Sequence, residues 1–235
     1  MRRIIYIIAI IVVATSCLHR VDPAARDDVP STLDLGAPYH GIDISSHQRH
    51  INWQALAADS NVHFVYIKAT EGTTYQSPHY AYNVTMAHHH NLLVGSYHYL
   101  TTTSPISEQF ANFARVATVT SQDLLPMIDI EQRGSWSRRQ LIDSLTVFAR
   151  LLEQHYGSRP MIYSTMDFYN ANLAPQFNGY PLYIARYSDV TPIINWEGRV
   201  TVWQYSELGL LAGVGAYVDL CRVTDPNALA ALALH

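Results

Sequence analysis

Between Gly41 and Val223 the chain alternates short apolar runs with stretches of helical period. The runs at 41–45, 64–70, 92–100, 125–131, 160–165, 182–187, 200–205 and 217–223 predict eight strands. The clearest helix falls between the fourth and fifth of them. Ser137 and Gln140 form a capping box, Leu141, Leu145, Phe148 and Leu152 recur on one face, and Gly157 stands past the end. Ser77-Pro78 and Ser104-Pro105 each place a cap and a first-turn proline ahead of a helical pattern, and Asn52 caps a shorter one. Strands alternating with helices predict an α/β fold of the (β/α) TIM-like barrel type. The late connections depart from it: 188–199 contains Pro192 and Asn195, and 207–216 is rich in glycine. A parallel crossover normally takes a dozen or more residues, usually helical. The barrel is therefore expected to be irregular, with helices missing near its C-terminal strands.

Strand alternation also sorts the acids. In the fourth run Met127, Asp129 and Glu131 share one face while Ile128 and Ile130 take the other. The first run sets Asp43 and Ser45 against Ile42 and Ile44, and the last sets Asp219 against Val218 and Leu220. With the aliphatic parity packed under helices, the acids converge at one mouth of the barrel, where barrel enzymes keep their chemistry. Any single acid caps a helix or pairs with an arginine as readily; four in this arrangement point to a site. Converging carboxyls suit glycoside hydrolysis, in which one must hold a proton and another must stay charged.

The N-terminus has its own grammar. Arg2 and Arg3 precede an apolar run at 4–14, then Thr15, Ser16 and Cys17. Such a run spans roughly 16 Å as a helix against a hydrocarbon core of roughly 30 Å. It predicts a secretory signal over 1–16, and Cys17 resembles the lipidated cysteine of a bacterial lipobox, with Ala14 where leucine is usual. Residues 17–39 show no hydrophobic period and contain three prolines, and are expected to be a flexible tether to a barrel at 40–235. The protein is thus expected in the cell envelope, lipid-anchored to a membrane. If Cys17 carries lipid, Cys221 has no disulfide partner and is expected to be a small buried hydrophobe.

Composition narrows the classes. With 49% apolar and 14% charged residues the chain is not disordered, and 15 basic against 19 acidic residues leave no excess for nucleic acid. The run His88-His89-His90 closes a predicted helix, where neighbours point in different directions and a favourable dipole explains them. His98 has no partner at ligand spacing and is expected to be structural. No metal and no cofactor are expected.

Six motifs in order carry a resemblance: Gly41-Ile-Asp-Ile-Ser-Ser-His-Gln48, Ile67-Lys-Ala-Thr-Glu-Gly72, Gly95-Ser-Tyr-His-Tyr99, Asp129-Ile-Glu131, Trp203-Gln-Tyr-Ser206 and Val218-Asp-Leu220. Together they resemble glycoside hydrolase family 25, the lysozymes of the Chalaropsis type. The resemblance implies a flattened, irregular barrel acting as a monomer on peptidoglycan glycan strands. It implies cleavage of the β-1,4 bond between N-acetylmuramic acid and N-acetylglucosamine without metal. Glu131 resembles the acid/base, Asp129 the partner of the 2-acetamido group, and Asp43 and Asp219 the other acids of the cleft. Lys68 (the single lysine), Glu71, Tyr97, Tyr99, Arg186, Trp203, Gln204 and Tyr205 are the expected substrate-binding residues. Lys68 and Glu71 also read as a simple ion pair, and the paired aromatics as core. Two competing readings are a silent peptidoglycan-binding lipoprotein and a glycosidase of chitin. The acid pair is intact, against the first, and 122–131 does not complete the Asp-x-x-Asp-x-Asp-x-Glu ladder of the second.

Overall fold

The computed structural model describes residues 33–234. The expected signal segment at 1–16, Cys17 and the tether up to residue 32 lie outside the described residues.

Nine strands occur among the described residues: β1 (Gly41–Ile44), β2 (Phe64–Glu71), β3 (Tyr75–Gln76), β4 (Leu93–Tyr99), β5 (Met127–Asp129), β6 (Met161–Thr165), β7 (Leu182–Ala185), β8 (Val200–Gly209) and β9 (Val218–Val223). They run β1-β9-β8-β7-β6-β5-β4-β2-β3, and a parallel β1–β2 pairing closes all but β3 into a barrel. Helices follow the early strands: α1 (Trp53–Ala57), α2 (Tyr80–His89), α3 (Ile106–Val116), α4 (Arg138–Tyr156) and the short α5 (Met166–Phe168). No helix separates β7, β8 and β9, as expected; α6 (Ala228–Ala231) comes after them. The two-residue β3, an antiparallel hairpin partner of the end of β2, carries no periodic signal in the sequence.

One direction of travel departs from a regular barrel. β1, β2 and β4 to β8 are parallel around the barrel, whereas β9 is antiparallel to both β8 and β1. A connection as short as 210–217 can reverse a chain but cannot return it for a parallel pairing. Asp219 therefore reaches the acidic mouth from the beginning of its strand, directly opposite Asp43 in register.

The local signals mostly hold. Ser137 and Gln140 form the capping box of α4, Leu141, Leu145, Phe148 and Leu152 are fully buried, and Gly157 ends the helix at φ 76°. Asn52 accepts from Ala55 N at 3.1 Å and caps α1. Two caps do not hold: α2 is capped at His79 and α3 at Pro105, both without a side-chain bond, instead of at Ser77 and Ser104. Gln109 takes over at α3, its amide donating to the carbonyls of Thr101 and Ser104.

The core has two shells because alternate residues of each strand leave in opposite directions. Ile42, Ile44, Ile67, Ile128, Ile130 and Ile184 face outward beneath the helices. Phe64, Tyr66, Tyr97, Met127, Tyr163 and Tyr183 fill the interior. Glycine makes the room for these rings. A Cβ on Gly95 would stand 2.2 Å from Tyr66 Cε1, so that position accepts no side chain while Tyr66 keeps its place.

The end of the expected tether is part of the fold. Leu33 is buried in the interior cluster with its N–H on Pro226 O at 3.1 Å, and Pro38 O accepts from Arg222 Nε at 2.6 Å. Residues 33–39, expected to be tether, are thus packed against the barrel.

Leu145→Ala is expected to lower stability by about 2–5 kcal/mol, because the vacated space lies between α4 and the barrel wall. Ser137→Ala should cost about 1 kcal/mol. Thermal melts check both, at roughly 2–4 °C per kcal/mol for a chain of this size.

Candidate active site

At the C-terminal mouth Asp43, Asp129, Glu131, Glu207 and Asp219, with Tyr97, Met127, Tyr163 and Tyr187, line one cavity of about 190 Å³. Strand parity puts them there: β1 presents Asp43, β5 presents Asp129, the residue pair after it presents Glu131, and β9 presents Asp219. The four acids expected to converge do so.

Burial grades them. Asp43 and Asp129 are buried at 7% and 6% exposure, and Glu131 is half-buried at the rim. The three donors below Asp43 all meet one oxygen. Tyr183 Oη and Gln204 Nε2 each donate to Asp43 Oδ2 at 2.8 Å, and Cys221 Sγ lies 3.4 Å from it. Gln204 is itself oriented by Tyr163 Oη at 2.8 Å and Tyr187 Oη at 3.3 Å, both donating to its carbonyl oxygen. Asp129 is placed differently. Apart from the neighbouring Glu131 carboxyl, no group among the described residues satisfies its buried Oδ1.

Crowded carboxyls in a poorly hydrated mouth resist ionisation. Burial raises Asp129 well above the usual carboxylate range, and the Glu131 charge raises it further. Burial also raises Glu131, while a hydrogen bond from Asp129 draws it back down, so the deeper acid holds their shared proton in the free protein. Asp219 is raised by burial and by Asp43, and Asp43 is raised by burial against the pull of its donors. Burial likewise pushes Tyr99 up to about 12 and keeps the hydroxyls of Tyr97, Tyr163 and Tyr183 protonated as donors.

The opposite wall carries the lone lysine. Lys68 Nζ binds Glu71 Oε2 at 2.7 Å and sits 4.8 Å from the Tyr99 ring centroid. Residues three apart on a regular strand face opposite ways, but a register shift between Lys68 and Thr70 turns Glu71 back to the same side. The ion-pair reading is thus the observed one. Lys68 nonetheless faces the mouth closely enough to favour the ionised forms of Asp129 and Glu131.

Several expected ligand-binding residues stand elsewhere. Trp203 and Tyr205 take the outward parity, edge to face at 5.8 Å, with Arg222 stacked 4.4 Å from the Tyr205 centroid. Trp203 Nε1 donates to Arg186 O at 2.9 Å, and Arg186 Nη1 donates to Thr191 O at 2.9 Å. Trp203 and Arg186 pin the loop after β7, and neither they nor Tyr205 line the cavity. Gln204 lies below the floor at 1% exposure, out of reach of a sugar hydroxyl, and acts on Asp43 instead. Cys221 is buried as expected, yet as a thiol against Asp43 and Tyr183, not in apolar surroundings alone.

Glu207 was missed for a definite reason. By plain alternation it shares the outward face of Trp203 and Tyr205. The register shift between Gln204 and Ser206 inserts one residue and returns Glu207 to the interior side, beside Asp219. Tyr187 closes the same wall at 50% exposure.

The histidines are structural. His98 bonds Thr70 Oγ1 at 2.7 Å and Gln109 Oε1 at 3.2 Å, and burial lowers it to about 4, so it is neutral. His88, in the last turn of α2, bonds Asp123 Oδ2 at 2.8 Å. His89 and His90 meet edge to face at 5.1 Å.

These shifts set a dependence of stability on pH. Carboxyls raised in the folded state hold protons that the unfolded chain has released, so they favour folding at low pH and withdraw that support as pH rises. His98, lowered from 6.5, works the other way only below that value. Between pH 6.5 and about 8.5 the melting temperature should therefore fall as pH rises. Asp129→Asn should flatten the slope and raise the midpoint at pH 7.5 by about 3 °C or more. A slope of opposite sign in calorimetry contradicts the protonated pair.

Comparison with known proteins agrees with the geometry. The profile described as "Glycosyl hydrolases family 25" matches residues 42–214. The chain is 34% identical over 185 residues to YegX of Escherichia coli K12, covering 77% of this chain and 67% of that one. It is also 34% identical to the autolytic lysozyme of Clostridium acetobutylicum, covering 79% of this chain and 56% of that longer protein. The structure of a family 25 lysozyme from Aspergillus fumigatus superposes with a TM-score of 0.72 at 30% identity, over 84% of this chain and 99% of that one. The barrel with its acidic mouth and the matched sequence together place the chain in glycosyl hydrolase family 25, and it is a glycoside hydrolase.

Proposed function

We propose that this protein is a lysozyme that cleaves the β-1,4 bond between N-acetylmuramic acid and N-acetylglucosamine in peptidoglycan. The observation that carries the proposal is the Asp129–Glu131 pair: one carboxyl buried with an unsatisfied oxygen, the other at the rim, in one cavity. An acetamide N–H brought to Asp129 stabilises the anion there. The shared proton then passes to Glu131, whose raised affinity for it suits a general acid.

Glu131 donates this proton to the departing glycosidic oxygen as the acetamido carbonyl oxygen closes on the anomeric carbon. Asp129, holding the acetamide nitrogen, supports the positive charge of the ring so formed. Glu131 then takes a proton from the water that reopens it, and the anomeric configuration is retained. Tyr97 supplies a phenolic face to the sugar inside the cavity, and Tyr99 with the Lys68–Glu71 pair supplies a polar rim beside it. The enzyme is further proposed to work as a monomer held to a bacterial membrane through lipid on Cys17. The charged, short apolar and small-residue pattern ahead of that cysteine supports this reading.

Glu131→Gln should reduce release of reducing ends from peptidoglycan by about 10²–10⁴-fold with the fold retained, and wild-type turnover in it defeats the assignment. Proton NMR of the first product should show the β-anomer; the α-anomer rules out substrate assistance. Cys17→Ser should move the protein from the membrane fraction to the soluble one, and persistence in membranes refutes the lipid anchor.

A further inference from the structure

Asp43 and Asp219 face each other across the β1–β9 pairing, where directly opposed side chains stand about 5 Å apart. Two carboxyls that close do not both ionise in a buried mouth, so the pair holds a proton that must sit on one of them. Their surroundings differ in kind. Asp43 Oδ2 receives Tyr183 Oη, Gln204 Nε2 and Cys221 Sγ, contributed by β7, β8 and β9. Among the described residues Asp219 has no comparable set of donors, and the nearby Glu207 carboxylate opposes its charge. Three donors on one oxygen are a cradle for an anion, not for a carboxylic acid.

We infer that Tyr183, Gln204 and Cys221 are positioning residues that hold Asp43 as the charged member of the Asp43–Asp219 pair and confine the shared proton to Asp219. Cys221 does this as a thiol: burial and Asp43 keep it protonated, so it serves as a hydrogen donor. Gln204 cannot turn its carbonyl toward Asp43, because Tyr163 and Tyr187 occupy that oxygen. The consequence for the proposed reaction, on which the inference rests, is a fixed negative charge at the floor of the cavity. There it faces the positive charge that develops at the anomeric carbon. Neutral Asp219, closer to the mouth, offers a hydroxyl to a sugar instead of a second repelling charge.

The other titratable groups around Asp43 do not compete for this role. Tyr97 from β4, Tyr163 from β6 and Tyr187 at the end of β7 remain neutral phenols. Glu131 after β5 adds a negative charge that opposes ionisation of Asp219 and is itself opposed by Asp43, while Asp129 holds the proton it shares with Glu131. Lys68, across the mouth, is engaged by Glu71.

Two measurements test the inference. Carbon-13 NMR of protein labelled at aspartate carboxyls, with Asp43→Asn and Asp219→Asn used for assignment, should show Asp43 ionised and Asp219 protonated at pH 7. The reverse order, or two ionised carboxyls, overturns the inference. This readout needs no turnover, so it stands even if wild-type protein fails to cleave peptidoglycan, which would instead refute the proposed function. In the active enzyme, Tyr183→Phe and Cys221→Ala should each move the acid limb of the rate profile upward by about one pH unit, because the pair then gives up its first proton less readily. Cys221→Ser retains a donor and should leave the limb in place. Equal limbs in all variants, with only the melting temperature changed, would reduce these residues to packing and refute the inference.

Discussion

Side chains on a strand closed into a barrel have two destinations, the helical jacket or the interior, and they alternate between them. The meeting of Asp43, Asp129, Glu131 and Asp219 follows from that alternation. The isoleucines at 42, 44, 128 and 130 are drawn outward under the helices, which commits Asp43 and Asp129 to the inside. Neither is placed individually; each is the neighbour of aliphatic residues that have somewhere better to go. Gly41 on β1 and Gly95 on β4 leave space inside for Phe64 and Tyr66, so the lower interior is packed with rings and only the mouth stays open.

The result is electrostatically expensive. Five carboxyls line one small cavity, and the sole lysine of the chain is already engaged by Glu71. Such an arrangement survives because protons neutralise part of the charge and because tyrosine and glutamine donors hold another part. Carboxyls of graded depth thereby acquire graded proton affinity, which is what a reaction needing both an acid and an anion requires. Part of the folding free energy is given up at the place where the chemistry occurs.

The C-terminal side shows how irregularity serves the site. Without helices after β7 and β8, the long β8 and the reversed β9 form a twisted ribbon that closes the barrel. Its bulges turn Glu207 inward, while Trp203, Tyr205 and Arg222 stack on the outside where a helix would otherwise lie. These aromatics therefore do not line the cavity. A period of two assigns residues to a common face but not to a side of the sheet, and the inserted residue between Gln204 and Ser206 inverts the parity beyond it.

The barrel class, the missing late helices, the capping of α4 and the meeting of Asp43, Asp129, Glu131 and Asp219 were all legible in the amino-acid sequence. They depend on contacts between near neighbours or on a strict repeat, and both are written in consecutive residues. The direction of β9, the seating of residues 33–39, the inward turn of Glu207 and the engagement of Gln204 and Cys221 with Asp43 were decided only by the tertiary structure. Each joins groups far apart in the chain or hinges on a one-residue shift in register, as in the bond from Gln204 to Asp43 across 161 positions. Such contacts exist only once the strands have closed on one another, and no local pattern encodes which partners closure will bring together.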